Sequence, residues 1–268
     1  MMSDSIQLMV ASPGTGVALD KLIEAVERVE EESDVTLFAA TLPRPAHLPP
    51  RPADPSTEGY YGSIEIENAW KAGRMLVAVR HLNDNVNQRE CRVEDHLVGS
   101  LYWRDLEEKH IKELDVSTQT KSASAAGAEM KAKTCSTRAH PDEKGLDQVD
   151  AASSRGEKGD VSSIVYGCKE GLAYICNICV SPQCGRQGTG TRLLHKCLEQ
   201  VRENGYRELW LTTFANVPFN APWYARQGFV LVEMEKVPAI LLERFNLEIR
   251  AYGLEGMGER VIMKYAIV

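Results

Sequence analysis

No apolar run in this chain approaches the roughly 20 residues needed to cross a bilayer, so no membrane-spanning helix is expected. The opening residues, MMSDSIQLMVASPGTG, have no basic region and only a brief apolar stretch, a poor match to a secretory leader. These two absences point to a soluble intracellular protein, cytoplasmic or alternatively nuclear, with no membrane partner. Basic charge is short as well: 31 Lys and Arg against 38 Asp and Glu leave a formal net charge of −7. A general nucleic-acid binder needs a basic surface, so nucleic acid is not expected among the partners. The cysteines number 7, an odd count that in a cytosolic chain argues against disulfides. Between 117 and 163 large apolar side chains nearly vanish among Ser, Ala, Gly, Lys, Glu and Asp. Such a segment buries too little surface to offset the entropy of ordering it. It reads as a low-complexity, disordered insertion, with a regulatory or partner-binding role as the alternative.

Enough remains for a core, since 43% of the 268 residues are hydrophobic. Residues 5–11 suit a first strand. Apolar residues from Val17 to Val29 recur at helical spacing, which predicts a helix closing by Ser33. VTLFAA follows, and then a proline-dense loop from Pro43 to Pro55. A second helix is expected over 63–73 and strands over 75–80 and 96–103, joined as a hairpin around Asn83–Asn87. Further strands are expected at 171–180, 207–214, 229–233 and 260–268. Helices are expected after the glycine turn at 185–190, at 221–227 and at 239–253. The pattern is α/β with one interrupted sheet, a single domain over 1–268.

Cys176 and Cys179 form a C-x-x-C, but they fall on a strand, where residues three apart point to opposite faces. No metal site is expected from them. The chemistry sits in ICVSPQCGRQGTGTRLL (178–194), an apolar strand followed by a glycine turn and an amphipathic helix. Bare amides at a helix start bind phosphate, and glycines let the anion approach. A P-loop would need Lys where Thr191 stands, and a dinucleotide fingerprint would need Gly where Leu193 stands.

The turn resembles instead the Q/R-x-x-G-x-G/A pyrophosphate loop of the GNAT superfamily of N-acetyltransferases. Gly188 and Gly190 take the two small positions, and Gly185, with Arg186 beside it, stands where Gln or Arg is usual. A second segment, LTTFANVPFNAPWYARQGFVLVE (211–233), resembles the other half of that family's coenzyme site through Asn220, Tyr224, Gly228 and Phe229. The tail, with Glu248, Gly253 and RVIM (260–263), is also similar, and the resemblance covers roughly 74–104 and 164–268.

The resemblance implies a mixed, mostly antiparallel six- to seven-stranded sheet flanked by helices, splayed open between a parallel pair of strands at the coenzyme site. It implies acetyl-CoA as cosubstrate, an amine acceptor (a small molecule or a protein amine), and direct transfer in a ternary complex. Backbone groups of Ile178, Cys179 and Val180 would hold the pantetheine arm. The loop Gly185, Arg186, Gln187, Gly188, Thr189, Gly190 and Thr191 would hold the pyrophosphate, and Asn220 would contact the coenzyme. Asn220 equally suits an N-cap for the helix opening at Ala221–Pro222. Tyr224 is the expected general acid for the departing thiolate. Relatives carry a glutamate base on the strand before the loop, where this chain reads Cys176-Asn177. Asp95, His96, Glu233 or a water chain are the alternatives for that role. His195 reads as a surface residue, and Trp70, Trp103 and Trp223 as core or as walls of an acceptor pocket. A non-catalytic acyl-CoA-binding or scaffold protein with the same fold is the competing function.

Overall fold

Near-continuous apolar runs over β2 (Met75–His81), β3 (Leu97–Leu106) and β4 (Leu172–Val180) build the middle of the molecule as antiparallel neighbours. β1 (Ser5–Ala11) pairs antiparallel with β2. β5 (Glu208–Phe214) lies parallel to β4, and β7 (Arg260–Ala266) lies antiparallel to β5 and to the two-residue β6 (Val230–Leu231). The result is one seven-stranded sheet in the order β1-β2-β3-β4-β5-β7-β6, mixed and mostly antiparallel as expected. The computed structural model describes residues 5–38, 61–81, 93, 96–106, 171–251, 254 and 256–267. The 117–163 insertion, the 43–55 loop, the Asn83–Asn87 turn, Asp95 and Gly253 lie outside the described residues.

Both faces of the central strands are covered, so their side chains are apolar on both sides. Leu76, Leu101, Trp103, Ala173, Ile175, Leu209, Leu211 and Met263 face one side. There they meet Leu193, Leu194, Cys197 and Val201 of helix α3 (Thr189–Glu203) and Tyr224 of α4 (Ala221–Arg226). Met75, Val77, Val79, Tyr102 and Cys179 face the other side, against Leu22, Val26 and Val29 of α1 (Leu19–Phe38) and Ile66 of α2 (Tyr61–Lys71). Tyr174, Trp210 and Ile262 on that second side meet Leu241 and Phe245 of α5 (Ala239–Ala251).

Two expectations change. α1 continues past Ser33 to Phe38, because its buried stripe is completed by the polar residues Glu30 and Ser33 and not by apolar ones. The C-x-x-C pair also does not straddle the sheet. Tyr102 pairs with Asn177 but Trp103 pairs with Ile175, so Cys176 is the extra residue of a β-bulge. Cys176 and Cys179 both pack against the α1/α2 side.

The second face also holds a buried polar network. Glu248 of α5 accepts bonds from the Tyr174 hydroxyl at 2.6 Å, the Thr212 hydroxyl, Arg244 Nε at 2.8 Å and Arg260 at 3.1 Å. Arg244 also meets Glu65 of α2 at 2.6 Å. Burial alone would raise the Glu248 carboxyl, but Arg244 and Arg260 outweigh it and hold the group below the usual carboxylate range. A depressed folded-state value means the stabilisation is full above the unfolded value of ~4.3 and is lost as pH falls through the folded one. Replacing Glu248 with Gln is expected to cost about 3–5 kcal/mol at pH 7 in urea unfolding, since it strands buried arginines. The gap between mutant and parent should shrink steadily below about pH 4.

Candidate functional site

β4 and β5 pair at only two positions, Ala173 with Leu209 and Tyr174 with Trp210. Beyond these the strands separate, although β4 runs on to Val180 and β5 to Phe214. Ile178, Cys179 and Val180 are paired on one edge with Leu101, Ser100 and Gly99 of β3, while among the described residues the edge towards β5 meets no strand. That leaves backbone donors and acceptors along a gap, a place where an extended, amide-bearing chain can add as a strand would.

The turn after β4 begins with a 3₁₀ segment, Pro182–Cys184, tied to the sheet by the Arg80 guanidinium 2.6 Å from the Cys184 sulfur. Arg186 and Gly188 then take left-handed conformations, with φ 59° and 78°. Gly188 is the N-cap of α3 and has no side chain to offer, so no side-chain hydrogen bond caps that end. The first intrahelical bond runs from Arg192 N–H to the Gly188 carbonyl, which leaves the amides of Thr189, Gly190 and Thr191 facing outward along the axis. The Thr189 hydroxyl is buried there with no hydrogen-bond partner among the described residues. Gln187 and Arg186 are exposed, and Gly185 is extended. Free amides, a helix dipole and an unsatisfied hydroxyl together suit an anion.

A Cβ on Gly190 would lie 3.7 Å from the Trp223 ring and 3.8 Å from the Val180 side chain, both ordinary contacts. The fold therefore tolerates a side chain at 190, and close approach of a ligand is the better reason for glycine there. The same distances bring the end of β4, the start of α3 and α4 to one point.

Asn220 stands at the N-cap of α4, but its side chain makes no capping bond; only its carbonyl accepts, from Trp223 and Tyr224 N–H. The N-cap role in its side-chain form is thus absent, leaving that amide half-buried beside the helix start. Tyr224 is buried, its ring edge-on to Trp223 and Phe229 at 4.8 and 5.5 Å. Burial, reinforced by the nearby Cys197, pushes its phenol well above the ordinary value against a smaller opposing effect of Arg260. The group stays protonated throughout the working pH range.

The other residues named from sequence fall in different places. His96 opens β3 beside Arg80, and Glu233 is exposed and paired with Lys236 at 2.6 Å. His195 is exposed on α3. Trp103 is fully buried and bonded to Gln200, a core residue, whereas Trp223 borders the glycine turn. One carboxylate was missed. Glu30 of α1 is 3% exposed and accepts a 2.6 Å bond from the Asn177 amide. Its signal in the sequence is its place on the apolar stripe, four residues after Val26. Among the described residues no group of three or more His, Cys, Asp or Glu is placed to hold a metal ion, and no helix is long and apolar enough to cross a membrane.

Residues 154–229 match the model of the acetyltransferase (GNAT) family. Over those residues the chain is similar to that family. It is also similar to a solved N-acetylglutamate synthase from Neisseria gonorrhoeae complexed with coenzyme A and N-acetyl-glutamate, with 12% identity and a TM-score of 0.43. That match covers 100% of this chain and 36% of the synthase, so this chain spans about a third of its length. A GNAT-family acetyltransferase from Staphylococcus aureus Mu50 matches at 9% identity and TM-score 0.46, over 98% of this chain and 100% of that one. A mosquito arylalkylamine N-acetyltransferase like 5b matches at 11% identity and TM-score 0.46, over the same shares, 98% and 100%. None of these likenesses assigns a residue or a substrate to this chain.

Gly188 is the position where the turn itself requires glycine. Gly188→Val is expected to lower stability by about 1–3 kcal/mol, read by urea unfolding, through left-handed strain in a branched residue. A loss below measurement error would mean the turn does not need that conformation.

Proposed function

We propose that the chain is an acyl-CoA-dependent N-acetyltransferase, moving an acetyl group from acetyl-CoA to a primary amine of a small molecule or a protein. The observation that carries this reading is the meeting of Val180, Gly190 and Trp223 at one corner of the gap. It puts the end of β4, the start of α3 and the first turn of α4 side by side, an arrangement that supports a site for a long phosphorylated thioester. Acetyl-CoA supplies an acyl group activated as a thioester.

Within this reading the residues divide the work. The free edge of Ile178, Cys179 and Val180 binds the amide-bearing arm. The amides of the 185–191 loop, the Thr189 hydroxyl and the exposed Arg186 hold the pyrophosphate, and the half-buried Asn220 amide faces the coenzyme from α4. Tyr224 holds its proton until a thiolate departs and donates it there. Positioning of two substrates in the gap supplies most of the remaining rate. Cys176-Asn177 in place of a strand carboxylate is the feature that favours a non-catalytic acyl-CoA-binding or scaffold protein.

Thiol release from acetyl-CoA with a panel of primary amines separates the two. Tyr224→Phe is expected to lower kcat about 100-fold while CoA still raises the melting temperature as in the parent. CoA stabilisation without turnover on any amine would establish the binding-protein reading, and no stabilisation by CoA would overturn both.

A further inference from the structure

We infer that Glu30, on α1, is the general base of the proposed transfer, aimed at the gap through its bond to Asn177 on the β4 bulge. The inference rests on the acetyltransferase reading and deepens it. Three observations carry it.

First, Glu30 is a carboxylate in the buried stripe of an amphipathic helix, 3% exposed beside Val26 and Val29. An apolar residue there would cost nothing in desolvation, so a carboxylate at this place is expected to have a use. Second, the bulge at Cys176 shifts the strand alternation by one residue. Without it Asn177 would point to the α3/α4 face; with it, the Asn177 amide donates to Glu30 at 2.6 Å, and the Tyr102 hydroxyl donates to the same oxygen at 3.4 Å. Asn177 directly precedes Ile178, where the free strand edge begins to serve as an arm-binding surface. Third, the proposed acid and base belong to opposite faces of the strand that borders the gap. Tyr224 belongs to the α3/α4 cluster, and the Glu30–Asn177 pair lies on the α1/α2 side. Two other buried carboxylates hold arginines. Glu248 accepts from Tyr174, Thr212, Arg244 and Arg260, and Glu65 pairs with Arg244.

The step balances as follows. An acceptor ammonium gives one proton to the Glu30 carboxylate, and the freed nitrogen lone pair attacks the thioester carbonyl carbon. The C–N bond forms and the C–S bond breaks, with the bonding pair leaving on sulfur. Tyr224 protonates that thiolate and regains a proton from the second one lost by nitrogen, while Glu30 releases its proton to solvent. The products are an N-acetyl amine, a free thiol and one proton.

Among the described residues, the titratable groups around Glu30 include the Tyr102 phenol of β3 and the Cys179 thiol of β4, on which Asp34 of α1 also acts. The Cys179 thiol is pushed up by burial and by Glu30, so it stays neutral.

The test compares the wild-type chain with Glu30→Gln and Glu30→Ala, using acetyl-CoA and the best amine from the panel. Glu30→Gln is expected to lower kcat about 100-fold, leave the acetyl-CoA KM and the CoA-induced melting shift as in the parent, and give a rate that climbs with pH towards the amine's own pKa. Glu30→Ala should regain part of its rate on adding formate, a rescue that a packing role would not produce. Should Glu30→Gln fail to fold, Asn177→Leu leaves the carboxylate in place but unaimed, and the same loss in kcat is expected. A Glu30→Gln rate within threefold of the parent, or a folded Glu30→Ala without formate rescue, would overturn the inference while parental turnover keeps the acetyltransferase reading intact. A parent inert on every amine would overturn both.

Discussion

The carboxylate of Glu248 holds together a sheet that is nearly divided. Only two residue pairs join β4 to β5, so backbone bonding alone gives the β1–β4 and β5–β7 halves little to share. Glu248 takes the Tyr174 hydroxyl from one half and the Thr212 hydroxyl and Arg260 from the other, while Arg244 links it to Glu65 of α2. Buried ion pairs stabilise a fold weakly against an apolar substitute. Here the gain is one of geometry: directional bonds fix how far the strands part without filling the space between them.

That gap gives the rest of the site its layout. With β5 turned away, the outer edge of Ile178–Val180 has no strand partner among the described residues, and the chain leaving β4 falls directly into the turn that opens α3. Gly188 makes the turn possible through its left-handed backbone, and Gly190 keeps the helix start accessible. α4 returns from β5 to place Trp223 against that start and Tyr224 beneath it. The open sheet, the glycine turn at the start of α3 and the position of α4 all follow from one divergence.

Much of this was legible in the chain itself. The apolar periodicities of 75–80, 171–180 and 207–214, and the glycine spacing before an amphipathic helix, specify strands, turn and helix by local rules. What was hidden depends on partners distant in sequence. The bulge at Cys176 leaves no mark in an apolar strand, yet it reverses which face Cys176 and Asn177 present. Glu30 reads as one more acid in an acidic stretch until Asn177, far along the chain, is seen to meet it. α1 overran its expected end for the same reason, since Ser33 and Glu30 complete a buried stripe that polarity disguises. The Glu248 network joins α2, α5 and three strands, and no spacing rule connects them.

The central claim is that the β4 edge and the start of α3 form one coenzyme site. Amide hydrogen exchange with and without CoA tests it most directly. Slower exchange confined to Ile178–Val180 and the Arg186–Thr191 amides is the expected result. Unchanged exchange in both segments while CoA binds, or protection confined to another part of the sheet, would contradict it.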